Sequence, residues 1–394
     1  MGTAPKLRPA SPKRRYLLFF LIPLIGLASI PSIEHHLRAS SLLLRIQNAD
    51  DHSRLATYHT YGIGVVSSTL AVPNGTVRAR IYTPVGRSNP PGIVVVHGVH
   101  HLGVDEPRLV AFSRALCASG FRVFTPELPD LADYHVSRSS LDIIGTAVDH
   151  LSYEMKHPVG VLGLSFAGGE ALLTAADPRY ASRIAYVVSI GAHDDMRRVA
   201  DFFVTGKIAR PDGSIASLKP HEYGPLVLMY SHLDEFFPVA DQPTAQQALR
   251  YLLWEQVEDS RRASVALSGT SLAKMNALYQ HDDSAMLADL QKCIAHHAQE
   301  METVSPHDHL AALRVPVLLL HGTGDDVVPA TEMLWLEKDV PHDYLRGALA
   351  TPLLSHVSIA GEPPVRDKAE LVHFMAKLID LGDESRSHEL STAR

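Results

Sequence analysis

Val161-Leu162-Gly163-Leu164-Ser165-Phe166-Ala167-Gly168-Gly169 is the stretch from which the fold of this chain is read. An apolar run, VGVLGLS over 159–165, ends in a serine, and a small-residue segment of helical character, 166–176, follows at once. That order predicts a buried strand turning sharply into a helix. Such a turn leaves little room two residues before and two after the serine, and Gly163 and Ala167 are both small. A serine held there would stand at a helix N-terminus, where the dipole favours negative charge.

Working outward, strands and helices alternate from about Tyr61. GVVSSTLAVP (64–73) and TVRARIYTPV (76–85) surround Asn74-Gly75, a hairpin signal. GIVVVHG (92–98) is a short β-branched run of the kind found in buried parallel strands. EPRLVAFSRALCASG (106–120) has helical period and a stopping glycine, Gly120. FRVFTPEL (121–128) is a strand. SSLDIIGTAVDHLSYEM (139–155) is a helix with Ser139 or Ser140 as expected N-cap. IAYVVSIGA (184–192) is again a strand. The pattern predicts an α/β fold, a mostly parallel sheet with helices on both faces and an antiparallel edge.

After Asp194 the alternation stops. Residues 195–312 carry helix-like segments such as TAQQALRYLLWEQVE and SAMLADLQKCIAHHAQEME, too long for a structureless loop, and read as an inserted helical cap. The sheet resumes at VPVLLLHG (315–322) and ALATPLL (348–354), and a helix covers about 364–380. The expected organisation is a membrane-anchor or signal segment over 1–33, a connector over 34–60, core over 61–194 and 313–380, the cap between them, and a polar, disordered tail over 381–394.

The segment around Ser165 resembles the nucleophile elbow of the α/β-hydrolase superfamily, with Ala167 where that family usually has glycine. Three further segments extend the resemblance over about 64–194 and 312–380. His97-Gly98 ends a strand where the family keeps an HG loop, which implies an oxyanion hole from the backbone N–H groups of Val99 and Phe166. VPVLLLHGTGDDVVP (315–329) is similar to the family's acid-bearing loop, with Asp325 in register and Asp326 as a neighbouring alternative. TPLLSHVSI (351–359) follows the last strand and carries His356. The implied triad is Ser165, Asp325 and His356, in the family's chain order. His342 precedes the last strand, and His373 lies inside the final helix. Asp234, after PLVLMYSHL, imitates a strand-then-acid loop, but HEYG (221–224) reads as a turn entering a cap helix. Asp194 and Asp195 are weaker alternatives. Ser271 and Lys274 form an S-x-x-K without its partner motifs and read as chance.

The resemblance implies serine hydrolysis by an acyl-enzyme, with a carboxylic ester as the first choice of substrate. A serine aminopeptidase or other amidase, or an acyltransferase, is the alternative. An aminopeptidase would need acids near the pocket, for which Glu170, Glu222, Asp234 and Glu235 are candidates. A non-catalytic, membrane-tethered binding protein is the reading from a different class, and the complete triad argues against it. No metal or organic cofactor is implied.

Bulk properties agree. Apolar residues make up 46% and charged residues 20% of the 394 residues, an ordinary globular balance, and the net charge of −7 disfavours nucleic acid as a partner. The two cysteines, Cys117 and Cys293, show no metal-binding spacing and read as buried or free thiols, with a disulfide between them left open. At the N-terminus, Lys6, Arg8, Lys13, Arg14 and Arg15 precede YLLFFLIPLIGLASIPSI (16–33), which has no charge. A spanning helix needs about 20 apolar residues. Residues 16–33 therefore read as an uncleaved anchor holding the catalytic domain outside the cytoplasmic membrane, or as a signal cleaved on secretion.

Overall fold

The computed structural model describes residues 32–282, 284–354 and 364–387. Most of the expected anchor, His356 and the last part of the tail lie outside the described residues. Helix α1 covers 32–47. It is followed by β1 (Gly62–Val72), β2 (Gly75–Val85), β3 (Gly92–Val96), α2 (Pro107–Ala118), β4 (Arg122–Pro126), α3 (Pro129–Ala132) and α4 (Ser139–Met155). Next come β5 (Val159–Leu164), α5 (Phe166–Ala176) and β6 (Ile184–Ile190). The segment between β6 and the next sheet strand holds α6 (Met196–Thr205), a small hairpin of β7 (Lys207–Ala209) and β8 (Ile215–Ser217), α7 (Tyr223–Ser231) and α8 (Leu233–Phe236). It continues with α9 (Gln242–Leu253), α10 (Val257–Ser264), α11 (Gly269–Tyr279), α12 (Leu287–His296) and α13 (Ala298–Glu302). The chain returns to the sheet with β9 (Val317–Gly322), α14 (Thr331–Asp339), β10 (Leu345–Thr351) and α15 (Val365–Ser385).

Eight strands form one sheet in the order β1-β2-β4-β3-β5-β6-β9-β10. β1 pairs antiparallel with β2, and β2 with β4; every other pairing is parallel. This is the α/β-hydrolase fold. Every residue of β3 and β9 is buried, as expected of strands covered on both faces. One face packs under α4 and α5, through side chains such as Ile144, Val148 and Leu172. The other packs under α1, α2 and α15, through Leu42, Leu116 and Phe374. The inserted helices have their own apolar core around Phe202, Met229, Leu249 and Ile294.

Several sequence expectations shift. The hairpin turn is Pro73-Asn74, with Val72 opposite Gly75, because Gly75 takes φ of +134° as the first residue of β2. Neither Ser139 nor Ser140 caps α4; the hydroxyl of Ser139 bonds Asp130 instead. The stretch 34–60 is more than a connector: α1 buries Ala39 and Leu42 completely in the core. The tail expectation is also corrected, since α15 runs to Ser385. Asp383 accepts from Arg38 at 2.5 Å and from Arg87 at 3.0 Å. Charges that read as solvated thus tie the last helix to the first. Both cysteines are buried and unbridged.

Candidate active site

Ser165 sits between β5 and α5 with φ of +53° and ψ of −133°. L-residues avoid this region at a cost of about 1–3 kcal/mol, so the surroundings must hold it. They do so by backbone hydrogen bonds: the Ser165 N–H donates to Ile190 O of β6 (2.7 Å), and the Gly168 N–H donates to Ser165 O (2.8 Å). Gly163 is obligatory. A Cβ there would fall 2.3 Å from Ala167 O and 2.6 Å from Gly168 Cα. The close approach at residue 167 is made by its backbone, while the Ala167 methyl joins the buried core. Alanine is therefore acceptable where the resemblance expects glycine.

The HG loop lies directly against this corner. A Cβ on Gly98 would be 3.0 Å from Ser165 Cβ and 3.1 Å from Leu164 O. His97 is buried and shapes the loop. Its Nδ1 donates to Gly98 O (2.7 Å), and its Nε2 accepts from the Leu128 N–H (2.9 Å). Those partners call for the neutral Nδ1–H tautomer, and burial lowers the imidazole pKa in the same direction. The loop also reaches the inserted helices, where the His101 ring stacks on Trp254 at 4.9 Å between centroids.

Asp325 follows β9 and is buried. Its Oδ1 accepts from the N–H groups of Val327 (3.0 Å) and Val328 (2.9 Å), a local turn that fixes the carboxylate. The other oxygen lies on the Ser165 side. A Cβ on Gly191 would be 3.6 Å from Asp325 Oδ2 and 4.0 Å from Ser165 Cα. Gly191 thus lies between serine and acid with φ of +66°, a backbone conformation that favours glycine, and the sequence reading missed it. Its signal was the glycine closing the β6 run.

Ser165, Asp325, Gly98 and Val99 all line one cavity of about 390 Å³. Its remaining wall is largely apolar and includes Leu43 and Ile46 of α1, Leu109 and Phe112 of α2, and Leu371 and Met375 of α15. The contribution of α1 was invisible while 34–60 read as a connector; the stripe of Leu42, Leu43 and Ile46 was the available clue. Val99 also borders a second cavity of about 400 Å³, walled by Phe166 and by residues of the inserted helices such as Val227 and His232.

The rival acids lie elsewhere. Asp326 does not line the serine cavity, and its carbonyl accepts from the His221 N–H. GPLVLMY is helical, within α7, and Asp234 lies in α8. Asp195 caps α6. Asp194 is buried beside Arg198 (2.7 Å), with its pKa pushed up to about 7 by burial and by Glu332. Ser271 donates to Asp241 (2.5 Å), and Lys274 donates to Phe236 O (2.8 Å), which accounts for the S-x-x-K residues structurally. His342 is fully exposed ahead of β10. His373 is exposed on α15 and stacks on His36.

No family model matches the chain. A pimeloyl-[acyl-carrier protein] methyl ester esterase of Aromatoleum aromaticum is 29% identical over 275 residues, covering 68% of this chain and 94% of that protein. Among solved structures, the esterase domain of a Rhodothermus marinus protein is 14% identical, covers 82% of this chain and 99% of its own, and superposes with a TM-score of 0.43. A Pyrobaculum calidifontis esterase is 15% identical, covers 90% of this chain and 92% of its own, with a TM-score of 0.44.

Proposed function

We propose that this chain, an α/β-hydrolase, cleaves carboxylic esters through an acyl-enzyme formed on Ser165. The observation that carries the reading is the strained serine at the strand–helix corner, sharing one cavity with the buried carboxylate of Asp325. In this reading His356 accepts the Ser165 hydroxyl proton as Oγ attacks the ester carbonyl. The N–H groups of Val99 and Phe166 receive the developing oxyanion, and the first turn of α5 adds its dipole. His356 then protonates the departing alcohol, and water releases the acid by the reverse sequence. Asp325 holds the imidazole in its working tautomer, for which its fixed position is suited.

The apolar wall of the serine cavity supports a substrate with an apolar acyl or alkoxy group. The ester reading is preferred to an aminopeptidase on one ground. Glu170 is fully buried within α5, Glu222 pairs with His281 (2.5 Å), and Glu235 pairs with His296. These acids and Asp234 are absent from the lining of the serine cavity.

Labelling with a fluorophosphonate probe, followed by turnover of p-nitrophenyl esters, methyl esters and aminoacyl anilides, tests the proposal. Wild type should label and prefer esters, and Ser165→Ala should do neither. Folded wild type that does not label, or a preference for anilides, would overturn it. We further propose that residues 16–33 tether the enzyme to the membrane with its catalytic domain outside the cytoplasm; the flanking basic cluster supports this. Among the described residues no helix is long and apolar enough to span a bilayer. Recovery of a soluble exported protein whose N-terminus begins beyond residue 33 would replace the anchor by a cleaved signal.

A further inference from the structure

The inserted helices hold a cluster of metal-ligating side chains that ester hydrolysis does not use. Cys293 lies on α12, and His297 follows at the end of that helix, four residues on, so the two share a helix face. His232 comes from the corner between α7 and α8. One ligand atom from each of these three side chains lies within 4.8 Å of the others. Glu235 and His296 form a second such group with the same His297. The sequence shows no metal-binding spacing because the groups come from helices about sixty residues apart.

We propose that His232, Cys293 and His297 form a zinc(II) site that fastens α8 to α12, with Glu235 turning from its partner His296 to supply the fourth ligand. Two imidazoles, a thiolate and a carboxylate are a suitable tetrahedral set for this borderline-soft ion. The thiolate and carboxylate together balance its two positive charges. The Nε2 of His297 is shut off from solvent and has no hydrogen-bond partner, and Glu235 Oε1 stands 3.6 Å from it. Its other nitrogen, Nδ1, lies 3.1 Å from Glu300 Oε2. A carboxylate behind a ligating imidazole is the usual outer-shell arrangement, since it orients the ring and leaves Nε2 for the metal. His232 and His297 lie face to face, with centroids 3.7 Å apart, so one ring must turn for both in-plane lone pairs to converge on an ion. Tetrahedral ligand atoms around zinc stand about 3.5 Å from one another, so binding draws the ligand atoms together by about 1 Å along with that ring rotation.

The site would be structural. His232 lines the second cavity, which Val99 and Phe166 also line. Zinc would therefore stiffen a cavity that borders the oxyanion loop without touching Ser165. The same site predicts that metal changes KM for bulky esters more than the rate of fluorophosphonate labelling.

The test uses the full untagged chain in detergent, stripped with a strong chelator and titrated with zinc(II) or cobalt(II) alone. One zinc per chain should bind, and the cobalt complex should show a thiolate charge-transfer band. His297→Gln and His232→Gln should weaken zinc binding at least tenfold, and Cys293→Ser should lose the cobalt band. Zinc should raise the Tm of stripped wild type and leave that of the variants unchanged. If Cys293→Ser does not fold, the two histidine variants decide the matter. Zinc binding equal in wild type and His297→Gln, or a cobalt complex of wild type without a thiolate band, would overturn the proposal.

Discussion

Replacing Gly163 by alanine isolates the geometry of the serine corner from its chemistry, because residue 163 would touch neither substrate nor proton. The added Cβ would lie 2.3 Å from Ala167 O, 2.6 Å from Ala167 C and 2.6 Å from Gly168 Cα. Unstrained carbon contacts are about 3.5 Å, so the start of α5 must retreat by about 1 Å. All three obstacles are backbone, so no side chain can turn aside to absorb the clash. A displacement of this size costs about 100-fold in rate when it falls between reacting groups. The stability cost is smaller. Overpacking of a core by one methyl costs about 1–3 kcal/mol, and relaxation of Ser165 out of its strained backbone returns part of that. Gly163→Ala should therefore fold, with Tm lowered by less than about 10 °C, and lose about 100-fold in kcat and in fluorophosphonate labelling rate. Differential scanning fluorimetry and p-nitrophenyl butyrate turnover read the two effects separately. Ala167→Gly is the control. It removes a core methyl at a cost of about 1 kcal/mol while leaving the Gly163 contact intact, so labelling should stay within a few-fold of wild type. If Gly163→Ala labels at the wild-type rate, the close-approach reasoning fails.

Asp325→Asn should fold, because an amide oxygen still accepts from Val327 and Val328, yet lose about 10⁴-fold in kcat; Asp234→Asn and Asp326→Asn should stay near wild type, and an equal loss in Asp234→Asn would refute the assignment. Glu170 is fully buried, and burial holds its pKa well above 4.5 against the nearby Ser140 hydroxyl. A raised folded-state pKa means that the native protein binds the extra proton, so this group lowers stability as pH rises above about 4.5, towards its folded-state pKa. Glu170→Gln, a mimic of the protonated acid, should therefore have a higher Tm than wild type at pH 9 and a similar Tm at pH 4; no pH dependence of the difference would count against it. Asp383→Ala strands Arg38, which is 4% exposed, together with Arg87. Breaking such a buried pair costs about 3–5 kcal/mol, so chemical denaturation should show a loss of that order, and a loss below about 1 kcal/mol would mean that the helices hold without it.

The sheet was legible in the sequence because its strands are nearly continuous apolar runs bounded by glycine and proline, a signal that needs no long-range information. The serine corner was legible for the same reason, since its steric demand falls on residues two positions away. What escaped the reading was decided by distant partners. The role of α1 depends on α15, whose Leu371 and Phe374 share a buried cluster with Ala39 and Leu42 from the opposite end of the chain. The end of α15 reads as a polar tail until Arg38 and Arg87 are placed beside Asp383. Among the site residues, Gly191 carried no local signal beyond ending a strand, although its backbone, at φ of +66°, stands between Ser165 and Asp325.

The substitution at residue 167 shows why a motif should be read through its contacts. Two sheet neighbours enforce the unusual serine backbone: β6 accepts the Ser165 N–H through Ile190, and β5 presents Gly163 to the returning chain. The constraint at residue 167 therefore falls on its carbonyl, which any residue possesses. Its side chain projects instead into the core beneath α5, where Ala171 and Val161 are also fully buried. A methyl is welcome in that space, and it lowers the conformational entropy lost when the first turn of α5 forms. A larger side chain would have to displace α5 or the sheet. The sequence rule is thus two rules of different origin. Position 163 must be glycine because backbone meets backbone, and position 167 must be small because of the volume beneath the helix.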